Sequence, residues 1–141
     1  MVSMSLLDFY KGKRVMVTGH TGFKGSWLCS VLLKAGAEVT GFALPPPTSP
    51  SLFNIAGIET KINSVIGDIR DLDALQSAFN AARPEIVFHL AAQPLVRQSY
   101  QNPRETYETN VMGTINVLEC IRQNDTVRSF LNVTTDKVYE N

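Results

Sequence analysis

The sequence predicts an α/β protein with a doubly wound parallel sheet, the Rossmann architecture, in an incomplete form with five strands. Short apolar runs alternate along the chain with segments of helical periodicity, the pattern of a parallel sheet covered by helices. The apolar runs lack polar alternation, which is typical of strands buried on both faces. A glycine-rich turn joins the first run to the first helical segment. The length of 141 residues and a hydrophobic fraction of 44% fit one globular domain.

The first third of the chain predicts two strands around one helix. Arg14–Thr18 is a short apolar run ended by glycine, which indicates a buried strand. Residues 26–35 have apolar side chains at helical spacing, and Gly36 supplies the stop. Glu38–Ala43 is the second predicted strand. The proline-rich residues 45–50 predict a surface loop, because proline continues neither a helix nor a sheet.

The middle of the chain repeats the alternation. Asn63–Ile66 predicts the third strand, and Asp71 is placed to cap the helix that follows. Pro84 ends that helix. Residues 85–92 are almost continuously apolar and predict the fourth strand.

The last third predicts a loop, a long helix and a strand. Residues 93–103 are polar and indicate a loop, whereas residues 127–135 predict the fifth strand. Residues 104–123 predict a helix whose apolar side chains share one face. This apolar stripe consists of Val111, Ile115, Leu118 and Ile121.

Composition and charge exclude several classes of protein. Thirteen basic residues balance thirteen acidic ones without a basic stripe, which argues against nucleic acid as a partner. The N-terminus has no signal-peptide pattern and no apolar run reaches the length of a membrane span, so a cytoplasmic location is predicted. Cys29 and Cys120 are expected to be buried free thiols in a reducing compartment. His20 and His89 lie in no cluster with metal-ligand spacing, so no metal is predicted.

The glycine-rich turn predicts a dinucleotide site. Gly19, Gly22 and Gly25 stand three apart between a strand and a helix, where glycine lets the backbone approach a diphosphate at the helix N-terminus. Thr21, Phe23 and Lys24, which lie among these glycines, are included in the predicted cofactor site. Lys24 opposes the helix dipole, and an anion nearby would relieve this.

Residues after the other strands complete the predicted cofactor site. Asp68 can accept a hydrogen bond from the adenine amino group, and Ile69 can offer its backbone amide. The segment at the end of the fourth strand would let a flat cofactor lie against the sheet, and consists of Leu90, Ala91 and Ala92.

The residues leave NAD against NADP open. Ala43 stands where an acid would select NAD by binding the ribose 2′-hydroxyl. Glu38 begins its strand and so lies at the wrong edge of the sheet. No arginine stands at position 43 to mark NADP.

Several motifs together carry a family resemblance. The segments "VTGHTGFKGSWL", "GDIRD", "PEIVFHLAAQPLVRQSY", "TNVMGT" and "TTDKVYEN" resemble the extended short-chain dehydrogenase/reductases that act on nucleotide sugars. Within that family they look most like the CDP-glucose 4,6-dehydratases. The likeness covers residues 9–141 without a large gap.

The resemblance implies a reaction. Bound NAD⁺ takes hydride from C4 of CDP-glucose, water leaves across C5 and C6, and the hydride returns to C6. The product would be CDP-4-keto-6-deoxyglucose. NAD and CDP-glucose are therefore the expected cofactor and substrate.

The resemblance also implies roles for individual residues. Thr135 would bind the reacting sugar oxygen, and Asp136 would protonate the departing hydroxyl, which requires it to keep a proton near neutral pH. Lys137 stands where related dehydratases have a glutamate base. The remaining expectations are Asn110, Val133 and Thr134 at the cofactor and Gln93 at the substrate. Arg97 and Ser99 follow the fourth strand on the binding edge of the sheet and are expected near a phosphate of the substrate or the cofactor.

One family motif is missing from the sequence. The catalytic base of the family is a tyrosine with a lysine four positions on, and no Tyr-x-x-x-Lys occurs in the 141 residues. We therefore expect residues 1–141 to be the N-terminal part of an NAD(P)-binding Rossmann domain, without the substrate domain and inactive alone. The alternatives are a nucleotide-binding half-domain without catalysis and another nucleotide-sugar epimerase or dehydratase. The helix over residues 104–123 could pair two subunits, as in the family.

Overall fold

The computed structural model describes residues 5–135. Five parallel strands form one sheet in the order β3-β2-β1-β4-β5, which confirms the predicted doubly wound architecture. The strands are β1 Arg14–Thr18, β2 Glu38–Ala43, β3 Asn63–Ile66, β4 Ile86–His89 and β5 Ser129–Asn132.

The first three strands have the predicted bounds, and the last two are shorter than predicted. β4 ends at His89. The Leu90 amide is shared between the Thr18 carbonyl and the Thr18 hydroxyl, and the Ala91 amide donates to the hydroxyl. β5 pairs in register with β4 from Ser129 opposite Ile86. The apolar residues beyond β4 therefore form the start of a loop.

Helices flank the sheet. They are α1 Leu6–Tyr10, α2 Phe23–Lys34, α3 Leu52–Ile55, α4 Leu72–Ala82, α5 Val96–Gln101, α6 Pro103–Tyr107 and α7 Gly113–Arg122, with a π-helical segment Glu108–Met112 between α6 and α7. Asp71 caps α4 as predicted, accepting from the Ala74 amide at 3.0 Å.

The loop predicted over residues 93–103 is wrong in part, since α5 lies within it. α5 has no buried residue, so the sequence shows no apolar periodicity there. The long helix predicted over residues 104–123 begins at Pro103 and contains the π-helical segment. A single extra residue per turn leaves no pattern in the sequence.

The sheet separates two apolar layers. Val15 and Val17 of β1 face the layer that contains Leu32 of α2 and Phe53 of α3. Met16 points to the opposite side. That second layer is built from Phe42, Leu75, Phe79, Val117 and Cys120.

The apolar stripe predicted on the long helix lies largely on the surface. Val111, Ile115 and Leu118 are 45% to 47% exposed, whereas Val117 and Cys120 of α7 are fully buried. The core contacts of α7 therefore come from a neighbouring face, and the stripe stays accessible.

Both cysteines are free and buried. Burial raises the pKa of the Cys29 thiol to about 12 and that of Cys120 to about 11. Within residues 5–135, no helix is long and apolar enough to span a bilayer.

Candidate functional site

The parallel sheet brings the predicted site residues to one edge. Because all strands run in the same direction, their carboxyl ends meet there. The turn after β1 at Gly19, the loop after β3 at Asp68, the loop after β4 at Ala91 and the segment after β5 at Val133 all leave from this edge.

Close backbone packing requires two of the three glycines. Gly19 has a φ of +77°, and a Cβ there would lie 2.8 Å from the amide nitrogen of Ala91. At Gly25 a Cβ would overlap the carbonyl oxygen of Gly19. The turn and the first turn of α2 are therefore pressed together, with the loop after β4 against them.

Gly22 is different, because no protein atom needs its space. A Cβ there would be 3.4 Å from the nearest atom, the Gly19 oxygen, which is ordinary contact. Gly22 is the N-cap of α2, and no side chain caps the helix there. Four other helices do have side-chain caps, from Ser5, Ser51, Asp71 and Asn102.

The start of α2 thus presents amides that no side chain caps, at the positive end of a 12-residue helix. Such a terminus can bind an anionic group such as a diphosphate. Phe23 and Lys24 at this end are exposed, Phe23 by 71%. An anion could reach them from solvent.

The turn is also anchored to β2 and β3. Thr21 donates its hydroxyl proton to the Leu44 carbonyl at 2.8 Å. The His20 ring is fully buried over Gly41, where a Cβ would overlap it, and its Nε2 lies 2.7 Å from Ser64 Oγ. Burial lowers the pKa of His20 to about 4, although a hydrogen bond with the Phe42 backbone acts to raise it.

His20 was considered from the sequence only as a metal ligand, and this packing role was missed. The pairing of a histidine with Gly41, 21 positions away, is visible only in the fold. Among the described residues, no group of three or more His, Cys, Asp or Glu side chains could hold a metal ion.

A second buried histidine organises the loop after β4. His89 Nδ1 lies 2.6 Å from Thr18 Oγ1 and its Nε2 lies 3.0 Å from Thr114 Oγ1. Burial lowers the pKa of His89 to about 4, so the ring is neutral at physiological pH. It connects β1, β4 and α7.

Asn110 lies in the π-helical segment and holds the same loop. Its Oδ1 accepts from the Gln93 amide at 2.8 Å, and its Nδ2 donates to the Gln93 carbonyl at 3.1 Å. The Gln93 side chain donates to Thr106 Oγ1 at 3.0 Å and accepts from the Leu95 amide at 2.7 Å. Both side chains therefore shape the loop in this structure.

The loop after β3 docks on the long helix. Ile69 is buried against Gly113, where a Cβ would lie 2.5 Å from Ile69 Cδ1. Asn116 Nδ2 donates to the Ile69 carbonyl at 2.9 Å. The neighbouring Asp68 pairs with Arg70, which holds the pKa of the Asp68 carboxyl below its usual range.

The remaining predicted residues lie around this edge. Arg97 is exposed on α5, and Ser99 on the same helix donates to the Val96 carbonyl at 2.6 Å. Val133, Thr134 and Thr135 follow β5 and are exposed, and the Val133 amide donates to the His89 carbonyl at 3.0 Å. The predicted catalytic residues Asp136 and Lys137 lie outside the described residues.

The end of β2 carries no acid. Ala43 is buried there, whereas Glu38 is exposed at the other end of the strand, at the amino edge of the sheet. A hollow of about 480 Å³ lies beside this point, lined by the proline loop, Phe53 and Ile66. A larger hollow of about 620 Å³, lined by Arg14 and Lys61 among others, opens at the amino edge, away from the glycine turn.

Comparison with known proteins identifies relatives over most of the chain. The family model described as GDP-mannose 4,6 dehydratase matches residues 16–141. The CDP-glucose 4,6-dehydratase of Salmonella typhimurium is 54% identical over 134 residues, which cover 95% of this chain and 37% of that protein. The chain thus spans little more than a third of that relative.

Solved structures share the fold. The UDP-glucose-4-epimerase of Stenotrophomonas maltophila, solved with bound NAD and formylated UDP-arabinopyranose, superposes with a TM-score of 0.79 at 27% identity. The match covers 92% of this chain and 39% of that one. The UDP-glucose 4-epimerase of Thermus thermophilus in complex with NAD gives a TM-score of 0.73 at 32% identity, over 82% and 36% of the two chains.

The match to the family model covers most of the chain, and the parallel sheet and the solved relatives agree with it. The chain therefore belongs to the GDP-mannose 4,6 dehydratase family, within the extended short-chain dehydrogenase/reductases that its sequence motifs resemble.

Proposed function

We propose that the chain binds NAD at the carboxyl edge of the sheet and is the cofactor-binding portion of a CDP-glucose 4,6-dehydratase. The observation that carries this proposal is the start of α2 behind the glycine turn, which no side chain caps. The amides of residues 23–25 would hold the diphosphate, since the Gly22 amide already donates to the Gly19 carbonyl at 3.2 Å. The NAD-bound epimerases of similar fold and the 54% identical dehydratase support the choice of ligand and reaction.

The residues at this edge fit the cofactor. Gly22 has no steric requirement within the protein, so close approach of a ligand explains why glycine stands there. Lys24 would lie near the diphosphate charge. Asp68 and the Ile69 amide would bind the adenine ring, with Leu90, Ala91 and Ala92 against the flat parts of the cofactor.

Bound NAD would supply a hydride acceptor at C4 of the sugar and return the hydride at C6. The chain's own residues would hold the sugar and move protons. Thr135 would donate a hydrogen bond to the reacting sugar oxygen, Asp136 would protonate the leaving hydroxyl, and Lys137 would take the C5 proton. Val133 and Thr134 would face the cofactor, and Arg97 and Ser99 would lie near a phosphate of the substrate or the cofactor. Asn110 and Gln93 would act by fixing the loop after β4, within which their side chains are bonded.

These residues do not complete the site. Removal of the C4 hydroxyl proton needs a base, and the Tyr-x-x-x-Lys pair that the family uses is absent from the sequence. We therefore infer that residues 1–141 bind NAD without catalysing turnover.

The experiment that tests this combines binding and activity. Equilibrium dialysis of the purified chain with radiolabelled NAD⁺ should show one saturable site, and incubation with CDP-glucose and NAD⁺ should give no alkali-absorbing ketosugar. Absence of NAD⁺ binding would contradict the proposed cofactor site. Turnover by the chain alone would contradict the claim that its catalytic base is missing.

A second copy of the chain could pair through the long helix. The exposed stripe Val111, Ile115 and Leu118 lies on one face of this helix, and Met112 beside it is 51% exposed. Exposed apolar side chains in a row favour a protein interface over solvent. We propose that this stripe is the contact between two subunits.

A further inference from the structure

We propose that Arg70 is a positioning residue that sets the orientation of the Asp68 carboxylate toward the purine amino group of the cofactor. This inference rests on the proposed NAD site. It adds a residue that makes the site selective for adenine over purines that lack the amino group.

Arg70 binds both oxygens of the Asp68 carboxylate through its guanidinium and its backbone amide. Arg70 Nη2 lies 2.6 Å from Asp68 Oδ2, and Arg70 Nε lies 2.9 Å from Oδ2 and 3.1 Å from Oδ1. The backbone amide of Arg70 also donates to Oδ1 at 2.9 Å. A planar guanidinium held at two points fixes the direction of a carboxylate, which a lysine ammonium cannot do.

Counting donors leaves room for a ligand. An ionised carboxylate offers about four acceptor positions. Arg70 fills about three of them with hydrogens from its amide, its Nε and its Nη2. About one acceptor position therefore remains. One free position can accept one hydrogen bond from the amino group of a ligand.

The guanidinium is itself held in place from the other side. Its Nη1 lies 3.8 Å from Glu108 Oε2 in the π-helical segment. Asn116 Nδ2 binds the Arg70 carbonyl at 3.2 Å, and Ile69 is buried against Gly113. The loop that carries Asp68 and Arg70 is thus fixed to the helix before any ligand arrives.

Stability alone does not account for this arrangement. The side chains of Asp68 and Arg70 are 25% and 37% exposed, and partly exposed ion pairs contribute little to folding. A fixed acceptor at the ligand edge, by contrast, discriminates strongly. A purine with a carbonyl oxygen in place of the amino group would place that oxygen against the Asp68 carboxylate, so that two acceptors would face each other. Binding would then leave polar groups unpaired in the site, which lowers affinity.

The test compares two dinucleotides on the 141-residue chain. NAD⁺ and nicotinamide hypoxanthine dinucleotide differ at the amino group of the purine, and their dissociation constants are measured for wild type and Arg70→Ala. We expect wild type to prefer NAD⁺ and Arg70→Ala to lose about fivefold to tenfold of that preference. Arg70→Lys keeps the charge without the fork and should also lose preference. Apo melting temperatures confirm that the variants fold.

Arg104→Ala is the matched control. Arg104 pairs with Glu108 at 2.7 Å and has no bond to Asp68, so its loss removes the same charge and should keep the preference. In an Asp68→Ala background, Arg70→Ala should change the preference no further, because the positioned group is gone.

The outcomes separate the inference from the proposed function. If wild type binds neither dinucleotide, the proposed cofactor site is wrong and the inference falls with it. If wild type prefers NAD⁺ and Arg70→Ala or Arg70→Lys retains the full preference, the cofactor site stands and the positioning role of Arg70 is wrong.

Discussion

Thr18 Oγ1 lies 2.6 Å from His89 Nδ1 and also accepts the backbone amides of Leu90 and Ala91 at 3.1 and 3.2 Å. Because two amides occupy its lone pairs, the hydroxyl proton is directed to His89 Nδ1. The proton of the neutral ring is therefore on Nε2, which donates to Thr114 Oγ1. One threonine thus joins the end of β1 to the start of the loop that packs on the glycine turn.

Replacing Thr18 by valine tests this junction. The shape is kept, but Leu90 N, Ala91 N and His89 Nδ1 lose a shared partner in a buried place. We expect the free energy of unfolding in urea to fall by about 3 kcal/mol. Thr60→Val is the control, since Thr60 is exposed and donates one bond to the Gly57 carbonyl. Equal effects of the two substitutions would contradict the junction.

The buried histidines predict a pH dependence of stability. His20 and His89 have pKa values lowered to about 4 by burial, whereas an unfolded histidine titrates near pH 6.5. The unfolded chain therefore binds protons first as the pH falls, so stability is present above pH 6.5 and is lost between pH 6.5 and 4.

From pH 7.5 to 5.0 the expected loss is about 2 kcal/mol for each histidine. Carboxylates contribute little in this window, since they titrate lower. Urea unfolding at both pH values measures the loss of unfolding free energy for wild type and for His89→Gln. The loss in the variant should be about half that in wild type. Equal stability of wild type at pH 7.5 and pH 5.0 would show that the histidines are not buried in the neutral form.

The glycines of the turn predict two different outcomes. Gly25→Ala places a methyl group on the Gly19 carbonyl and should lower the thermal midpoint sharply. Gly22→Ala meets ordinary contacts at a φ of −75°, and since alanine is a poorer N-cap than glycine, its stability should fall by about 1 kcal/mol or less. Its affinity for NAD⁺ should nevertheless fall at least about tenfold, because the methyl group occupies the path of the diphosphate.

Calorimetry and NAD⁺ titration of both variants separate the two effects. If the Gly22→Ala variant binds NAD⁺ as tightly as wild type, no ligand lies against this turn. Gly25→Ala with wild-type stability would mean that the turn and α2 are not pressed together.

The exposed stripe on the long helix predicts self-association. Ile115→Glu places a charge at the centre of the stripe and should shift the chain from dimer to monomer in sedimentation equilibrium. Ile55→Glu is a suitable control, because Ile55 is 75% exposed on α3, away from the stripe. A wild type that stays monomeric at all concentrations would contradict the proposed contact.

Strands of the sheet could be predicted from the sequence because a strand that is buried on both faces contains few polar residues. β1 and β2 are buried along almost their whole length and have the bounds that the sequence predicts. β3 also has the predicted bounds, although none of its four residues is buried. α1 and α5 were missed for opposite reasons. α1 carries a capping box between Ser5 and Asp8 that the sequence does display, whereas α5 has no buried face and so no periodicity to detect.

The position of the glycine turn at the carboxyl edge of the sheet could be predicted from the sequence, whereas its internal contacts could not. Glycine spacing after a strand predicts a phosphate-binding turn because the geometry of such a turn is local. The contacts of His20 with Gly41 and Ser64, and of Ile69 with Gly113, join segments that only the fold brings together. The role of His89 depends on such contacts, with Thr18 and Thr114, and left no pattern in the sequence. Arg70 lies two residues from Asp68, so its contact is local.

Amide NMR during an NAD⁺ titration tests the central claim most directly. If the start of α2 holds the diphosphate, the amide resonances of Gly22, Phe23, Lys24 and Gly25 should shift together and saturate with one NAD⁺ per chain, while amides at the amino edge near Lys61 stay in place. Unchanged resonances at residues 22–25 under saturating NAD⁺ would contradict a cofactor site at this turn.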